Sequence, residues 1–227
     1  MSATTFFEFG SDIKLLNKFE CGNDVKSEPM FFNSDLDFAY KNGGEITKKF
    51  LSALPNDWIN GEVVFDSRVH MLMPGWYPAI PGFHHDDIPR PEIPVGQHFI
   101  SAGQPDYDNM RYKSEHIMAL VNSEICPTLF VLGNCKMNPV PENGLIYRQW
   151  DAEIKEQIKD QKIEVVECPD RQLVYFDWRC FHSGQKAKTN GWRWFGRVSR
   201  NTDRVKKITN EIRSQVQVYL EFPMEGW

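Results

Sequence analysis

The stretch Pro81-Gly82-Phe83-His84-His85-Asp86-Asp87 holds two overlapping copies of His-x-Asp, His84 with Asp86 and His85 with Asp87. In extended backbone, residues i and i+2 point to the same side. Each pair can therefore bring an imidazole nitrogen and a carboxylate oxygen to one point. Those are two of the three donors of the two-histidine, one-carboxylate face that suits non-haem iron(II). A third donor must come from elsewhere. His182 is the candidate, because it follows the run Tyr175-Phe176-Asp177-Trp178 and Ser183-Gly184 turns the chain after it. His70 and His116 sit in apolar runs and read as hydrogen-bonded core residues. His98 falls in a long irregular segment.

Arg193 and Arg197 follow the distal histidine. On a strand they share a face with Phe195 and Ser199. Two buried guanidiniums are costly without anions. They make sense if they meet carboxylates inside a cavity, since arginine grips a carboxylate in a two-pronged fork. The opposite reading leaves this face in water and makes Trp192 and Trp194 the core face.

The elements that must position these groups are mostly strands. Residues 1–60 form an N-terminal arm and an outer helix over Glu45–Leu54, where Ile46, Phe50, Leu51 and Leu54 recur at helical spacing and Pro55 ends the pattern. From Gly61 the pattern changes. Strand-forming runs appear at 63–65, 69–73, 116–121, 128–132, 163–166, 173–178, 192–199 and 216–222, and a short amphipathic helix at Asp151–Gln161. Residues 89–112, rich in proline, read as a candidate lid loop. Many short strands with turn signals suggest a mainly β domain. A jelly roll (double-stranded β-helix) with flanking N-terminal and connecting helices fits best, its core spanning 61–222, because its open-mouthed barrel can hold a metal.

The chain has 227 residues, without a fixed-period repeat or a linker, and reads as a single domain. Lys plus Arg is 26 and Asp plus Glu is 31, giving a net charge of −5, which argues against a general nucleic-acid binder. No apolar run approaches a membrane span, and the N-terminus has no signal-peptide pattern. Cys21, Cys126, Cys135, Cys168 and Cys180 are odd in number and lack a CxxC pair. Unpaired thiols in a reducing, cytoplasmic compartment are the simplest account.

His84-x-Asp86, the distal His182 and the arginine after it resemble the iron(II)/2-oxoglutarate-dependent dioxygenase superfamily, over roughly residues 62–199. The arginine pair is most similar to the phytanoyl-CoA-hydroxylase-like and taurine-dioxygenase-like branches. The resemblance implies Fe(II) held by His84, Asp86 and His182, and the Pro-Gly-aromatic-His-x-Asp spacing favours this pair over His85/Asp87. It implies 2-oxoglutarate gripped at its C5 carboxylate by Arg193, with Thr128 as a second donor or an ordinary strand residue. Arg197 would contact an anionic substrate or form a structural ion pair. Trp76 and Tyr112 are candidate substrate contacts, with Tyr77 and Phe99 as further walls. Where the family often has a small residue, Phe176-Asp177-Trp178 adds bulk. The implied reaction oxidises a small molecule with O2, releasing succinate and CO2, and ascorbate is an optional stimulant. The competing readings are a cupin-like metal enzyme that does not use 2-oxoglutarate and a non-catalytic jelly-roll binding module.

Overall fold

The computed structural model describes residues 6–90, 105–139 and 145–220. Within them the chain is mainly β, with antiparallel sheets. Most of the candidate lid, with His98 and Phe99, lies outside the described residues.

Two strands open the chain, β1 (Phe7–Ser11) and β2 (Ile13–Lys18), followed by β3 (Met30–Phe32). Three helices come next: α1 (Leu36–Asn42), α2 (Glu45–Ser52) and α3 (Asn56–Ile59). Strands β4 (Val63–Leu72), β5 (Glu115–Val121) and β6 (Thr128–Met137) lead to α4 (Ile146–Lys159). The rest is β7 (Glu164–Glu167), β8 (Gln172–Asp177), β9 (His182–Gly184), β10 (Gly191–Arg200) and β11 (Glu211–Arg213).

A five-stranded sheet has the order β2-β8-β5-β10-β4. A smaller sheet is built on β6, which pairs with β1, β7 and β9. Strands β3 and β11 form a separate pair. The two larger sheets face each other across Met118, Leu120, Phe130, Val174 and Phe176. The outer face of the five-stranded sheet packs on the N-terminal helices through Phe50, Trp58, Phe65, Ile117, Trp194 and Val198. The outer face of the small sheet packs on α4 through Val131, Cys135, Trp150 and Ile154.

Helix α2 forms where the spacing places it, but its N-terminal cap comes from a distance. Gly44 precedes the helix and has no side chain to cap with, so the Glu28 carboxylate accepts from the Ile46 and Thr47 amides at 2.7 and 3.2 Å. Helix α4 begins at Ile146, earlier than the charged pattern from Asp151 suggests, because Trp150 packs into the small-sheet cluster.

Two expectations need correcting. The runs at 63–65 and 69–73 are one continuous strand, β4, because polar Asp66 and Arg68 break only the apolar pattern and leave the backbone ladder to β10 intact. The strand expected at 216–222 does not form within the described residues: Tyr219 makes a single bridge to Tyr77, and 221–222 lie outside them. The N-terminal arm does more than lie on the core. It adds β1 to one sheet and β2 to the other.

Strand β10 answers the question of which face is buried, because both are. Trp194 and Val198 meet the helices, while Arg193 and Arg197 face inward. Trp194 is fully buried and its ring sits 5.4 Å from that of Phe50. A Cβ at Gly196 would come within 2.1 Å of the Trp194 ring. Gly196→Ala should therefore destabilise the fold by about 1–3 kcal/mol through overpacking. A lower urea midpoint at unchanged slope would show this, and a wild-type midpoint would refute it.

Candidate metal centre and anion site

The His84–Asp87 stretch is fixed from four sides. The Phe83 amide donates to Asp151 on α4 at 3.0 Å, and the Tyr147 hydroxyl donates to the His85 carbonyl at 3.2 Å. His84 and His182 exchange backbone hydrogen bonds at 3.1 Å, so the segment lies beside β9. The Ser114 hydroxyl reaches the Asp86 carbonyl at 3.3 Å.

This pairing brings His84, Asp86 and His182 together, with one donor atom of each within 4.8 Å of the others. The three form a group that could hold a metal ion, the only such group among the described residues. His84 Nδ1 donates to the Gly82 carbonyl at 3.0 Å, and His182 Nδ1 donates to the Cys180 carbonyl at 3.1 Å. A carbonyl only accepts, so each Nδ1 carries the proton and each Nε2 is left with a lone pair. Those lone pairs converge on Asp86, at 4.0 Å from His84 Nε2 and 3.1 Å from His182 Nε2. Two imidazole nitrogens and a carboxylate oxygen gathered at one point are a donor set that a divalent cation takes. Backbone carbonyls that orient ligating imidazoles are the usual support of a metal site. The donor set therefore fits a divalent metal.

The second His-x-Asp pair is directed elsewhere. His85 stacks on Phe181 at 3.7 Å, and its ring nitrogens are bonded to the Tyr107 hydroxyl at 2.7 Å and the Arg179 carbonyl at 3.0 Å. Burial holds its pKa well below the ordinary value. Asp87 adopts a left-handed backbone with φ of 46° and takes a hydrogen bond from Arg204 at 3.3 Å. The alternation that aligns His84 with Asp86 thus stops there.

Arg193 is 2% exposed, and among the described residues its charge meets no carboxylate. Its Nη2 donates to the Thr128 hydroxyl at 2.9 Å, and its Nε has no partner. Burial lowers its pKa, yet a guanidinium stays protonated in proteins. Thr128 pairs with Gly184 across β6 and β9, two residues along from His182. That places the Thr128 end about 7 Å along the strand from the histidine.

Arg197 is committed. It bonds the Asp86 carboxylate and reaches Asp66 Oδ2 at 3.4 Å, so of the two roles open in the sequence the ion pair is the one formed here. Burial would raise the Asp86 pKa, but the Arg197 guanidinium holds it well below the carboxylate range. Asp66 also accepts from Arg204 Nη2 at 2.8 and 2.6 Å and from the Asn33 amide at 2.9 Å. Asp66 and Arg204 were not singled out in the sequence. Alternation gave a signal for Asp66, since Asp66, Arg68 and His70 share one face of a strand rich in apolar residues. Arg204 lies in a single 3-10 turn, Asp203–Lys206, too short to give such a pattern.

Trp76 is half-buried against Leu72, Ile125, Cys126 and Ala187. Tyr77 pairs with Tyr219. Tyr112 is half-buried with Asp87 and Asp203 among its charged neighbours, on the Asp87 side of the site. Phe176 lies between the sheets with its ring 5.0 Å from that of His182, and the Phe130 ring is 5.9 Å away. Trp178 turns out to the small-sheet cluster, so only part of the expected bulk reaches the interior. His116 is a satisfied core histidine, bonded to Ser199 at 2.8 Å and Ser114 at 3.1 Å. A surface groove of about 530 Å³ lined by Asp35, Leu36, Ile59, Val63, Val205 and Ile208 lies apart from these groups.

All five cysteines are unpaired, and no helix among the described residues is long and apolar enough to cross a membrane. No family model, curated protein or solved structure matches the chain.

Proposed function

We propose that the chain is an iron(II)- and 2-oxoglutarate-dependent oxygenase that oxidises a C–H bond of a small substrate, built on a double-stranded β-helix. The path of the chain supports the fold. From β4 it crosses to the small sheet at His84, returns as β5, goes back as β6 and β7, returns as β8, crosses as β9 and ends in β10. Eight segments that alternate between two facing sheets in this way are what a jelly roll requires.

The observation that carries the functional reading is a pair of incomplete sites two strand residues apart. One is a facial set of two imidazoles and a carboxylate. The other is a buried arginine with a single neutral partner among the described residues. A five-carbon 2-oxo diacid has a chelating end and a carboxylate end at about that spacing. Arg193 and Thr128 would hold its C5 carboxylate; His84, Asp86 and His182 would hold the metal. Together the metal and 2-oxoglutarate supply the oxidising chemistry, in which O2 is consumed and succinate and CO2 are released. The protein's part is to orient and to exclude water. Phe130 and Phe176 line the histidine side with apolar surface, and the two Nδ1–carbonyl bonds fix the imidazole planes. Arg197, held by Asp86 and Asp66, fixes the carboxylate and is not available as an open substrate anchor.

Anaerobic titration of the apo-protein with iron(II) and 2-oxoglutarate tests this. A weak visible metal-to-ligand charge-transfer band should form and be lost in His182→Ala. Iron binding without a band would overturn 2-oxoglutarate as the co-substrate, and absence of both would overturn the metal reading.

A further inference from the structure

Among the described residues, six buried side-chain nitrogen and oxygen atoms have no hydrogen-bond partner. Three of them belong to two residues: both ring nitrogens of His70 and Nε of Arg193. These residues are directly opposite each other in the β4–β10 register. Directly opposed side chains on one sheet face stand about 5 Å apart at Cβ. His70 is 2% exposed, as is Arg193. A buried polar group without a partner is costly, and native structures rarely leave several together. The sequence suggests that His70, like His116, is a satisfied core histidine. His116 has two serine partners, but His70 has none.

We infer that His70 is a third member of the anion site, donating a ring N–H to the same carboxylate that Arg193 and Thr128 bind. The inference rests on the proposed function and assigns a specificity residue to it. Burial first, and then the charge of Arg193, push the His70 pKa down to about 3, so the ring is neutral at ordinary pH and carries one N–H. The Pro78 and Gln217 backbone lies close enough to favour a proton slightly, without completing a hydrogen bond. The ring therefore has a donor to give without adding a second buried charge beside Arg193. A ligand carboxylate offers two oxygens with about four lone-pair sites, enough to receive His70, Arg193 and Thr128 together.

The test is anaerobic binding to the iron(II)-loaded protein, read from the charge-transfer band, with two probes. 2-Oxoglutarate has the distal carboxylate; pyruvate has the same chelating end and lacks it. His70→Leu should weaken 2-oxoglutarate by about tenfold to a hundredfold, the loss expected for one hydrogen bond to a charged group. Pyruvate binding should be unchanged. His70→Gln, which restores a donor, should recover most of the loss and guards against a merely unfolded variant. Wild-type affinity in His70→Leu, or an equal loss for both probes, would overturn the inference while leaving the function standing. If the wild-type protein forms no band with either probe, the proposed function fails, and the role of His70 fails with it.

Discussion

Arg193→Met is expected to leave the fold as stable as before, or to stabilise it by about 1–4 kcal/mol, while weakening 2-oxoglutarate at least about a hundredfold. The two effects have one cause. Arg193 is buried, holds a single neutral hydroxyl partner and has an orphaned Nε. A guanidinium in that position adds little to the folded state unless an anion completes it. Methionine keeps the length and apolar volume of the stem, so the space between the sheets stays filled. The Thr128 hydroxyl oxygen loses its donor, the loss of a single hydrogen bond. Thermal or urea unfolding of the apo-protein reads the first effect, and the charge-transfer titration reads the second. If Arg193→Met proved strongly destabilising in the apo-protein, the arginine would be structural and the anion site would lose its main support. In that case His70 would need another explanation as well.

Much of the site was legible because strand alternation is a rigid rule. It aligns His84 with Asp86 and Arg193 with Arg197 from the sequence alone. It could not say which His-x-Asp pair turns inward, since the two are offset by one residue and alternation permits either. That was settled by backbone pairing of His84 with His182 and by the left-handed turn at Asp87, both products of long-range contacts. The faces of β10 were unreadable for a related reason. A strand in the middle of a sheet with helices outside and a second sheet inside buries both faces, so the tryptophans and the arginines are inside together. The final apolar run, 216–222, looked like a strand by composition, but composition does not supply an edge to pair with. The N-terminal arm concealed β1 and β2 because strands of five and six residues with mixed burial leave little periodic signal.

The second large effect is expected at Asp66, a residue with no place in the metal or anion set. Asp66→Ala should cost about 3–5 kcal/mol, the loss typical of removing one partner from a buried ion pair. Asp66 is 3% exposed and accepts from Arg204, Arg197 and the Asn33 amide, so it ties β10 and the 203–206 turn to the segment before α1. Without it, Arg197 keeps its bond to Asp86 and Arg204 keeps Asp87. A second consequence follows for the metal centre. Arg197 is no longer held from both sides, so Asp86 is less firmly aimed, and metal affinity should fall about tenfold to a hundredfold, as when a group that orients a ligand is lost. The pH dependence has a definite sign. Burial would raise the Asp66 pKa, but Arg197 and Arg204 overcome it and hold the folded value below the unfolded one. Its contribution is then fully present above the ordinary carboxylate range and is lost as pH falls through the lowered folded value. Urea unfolding of wild type and Asp66→Asn between neutral and acidic pH measures this. The variant should show a smaller loss on acidification, and parallel profiles would mean that the arginines do not stabilise the ionised carboxylate.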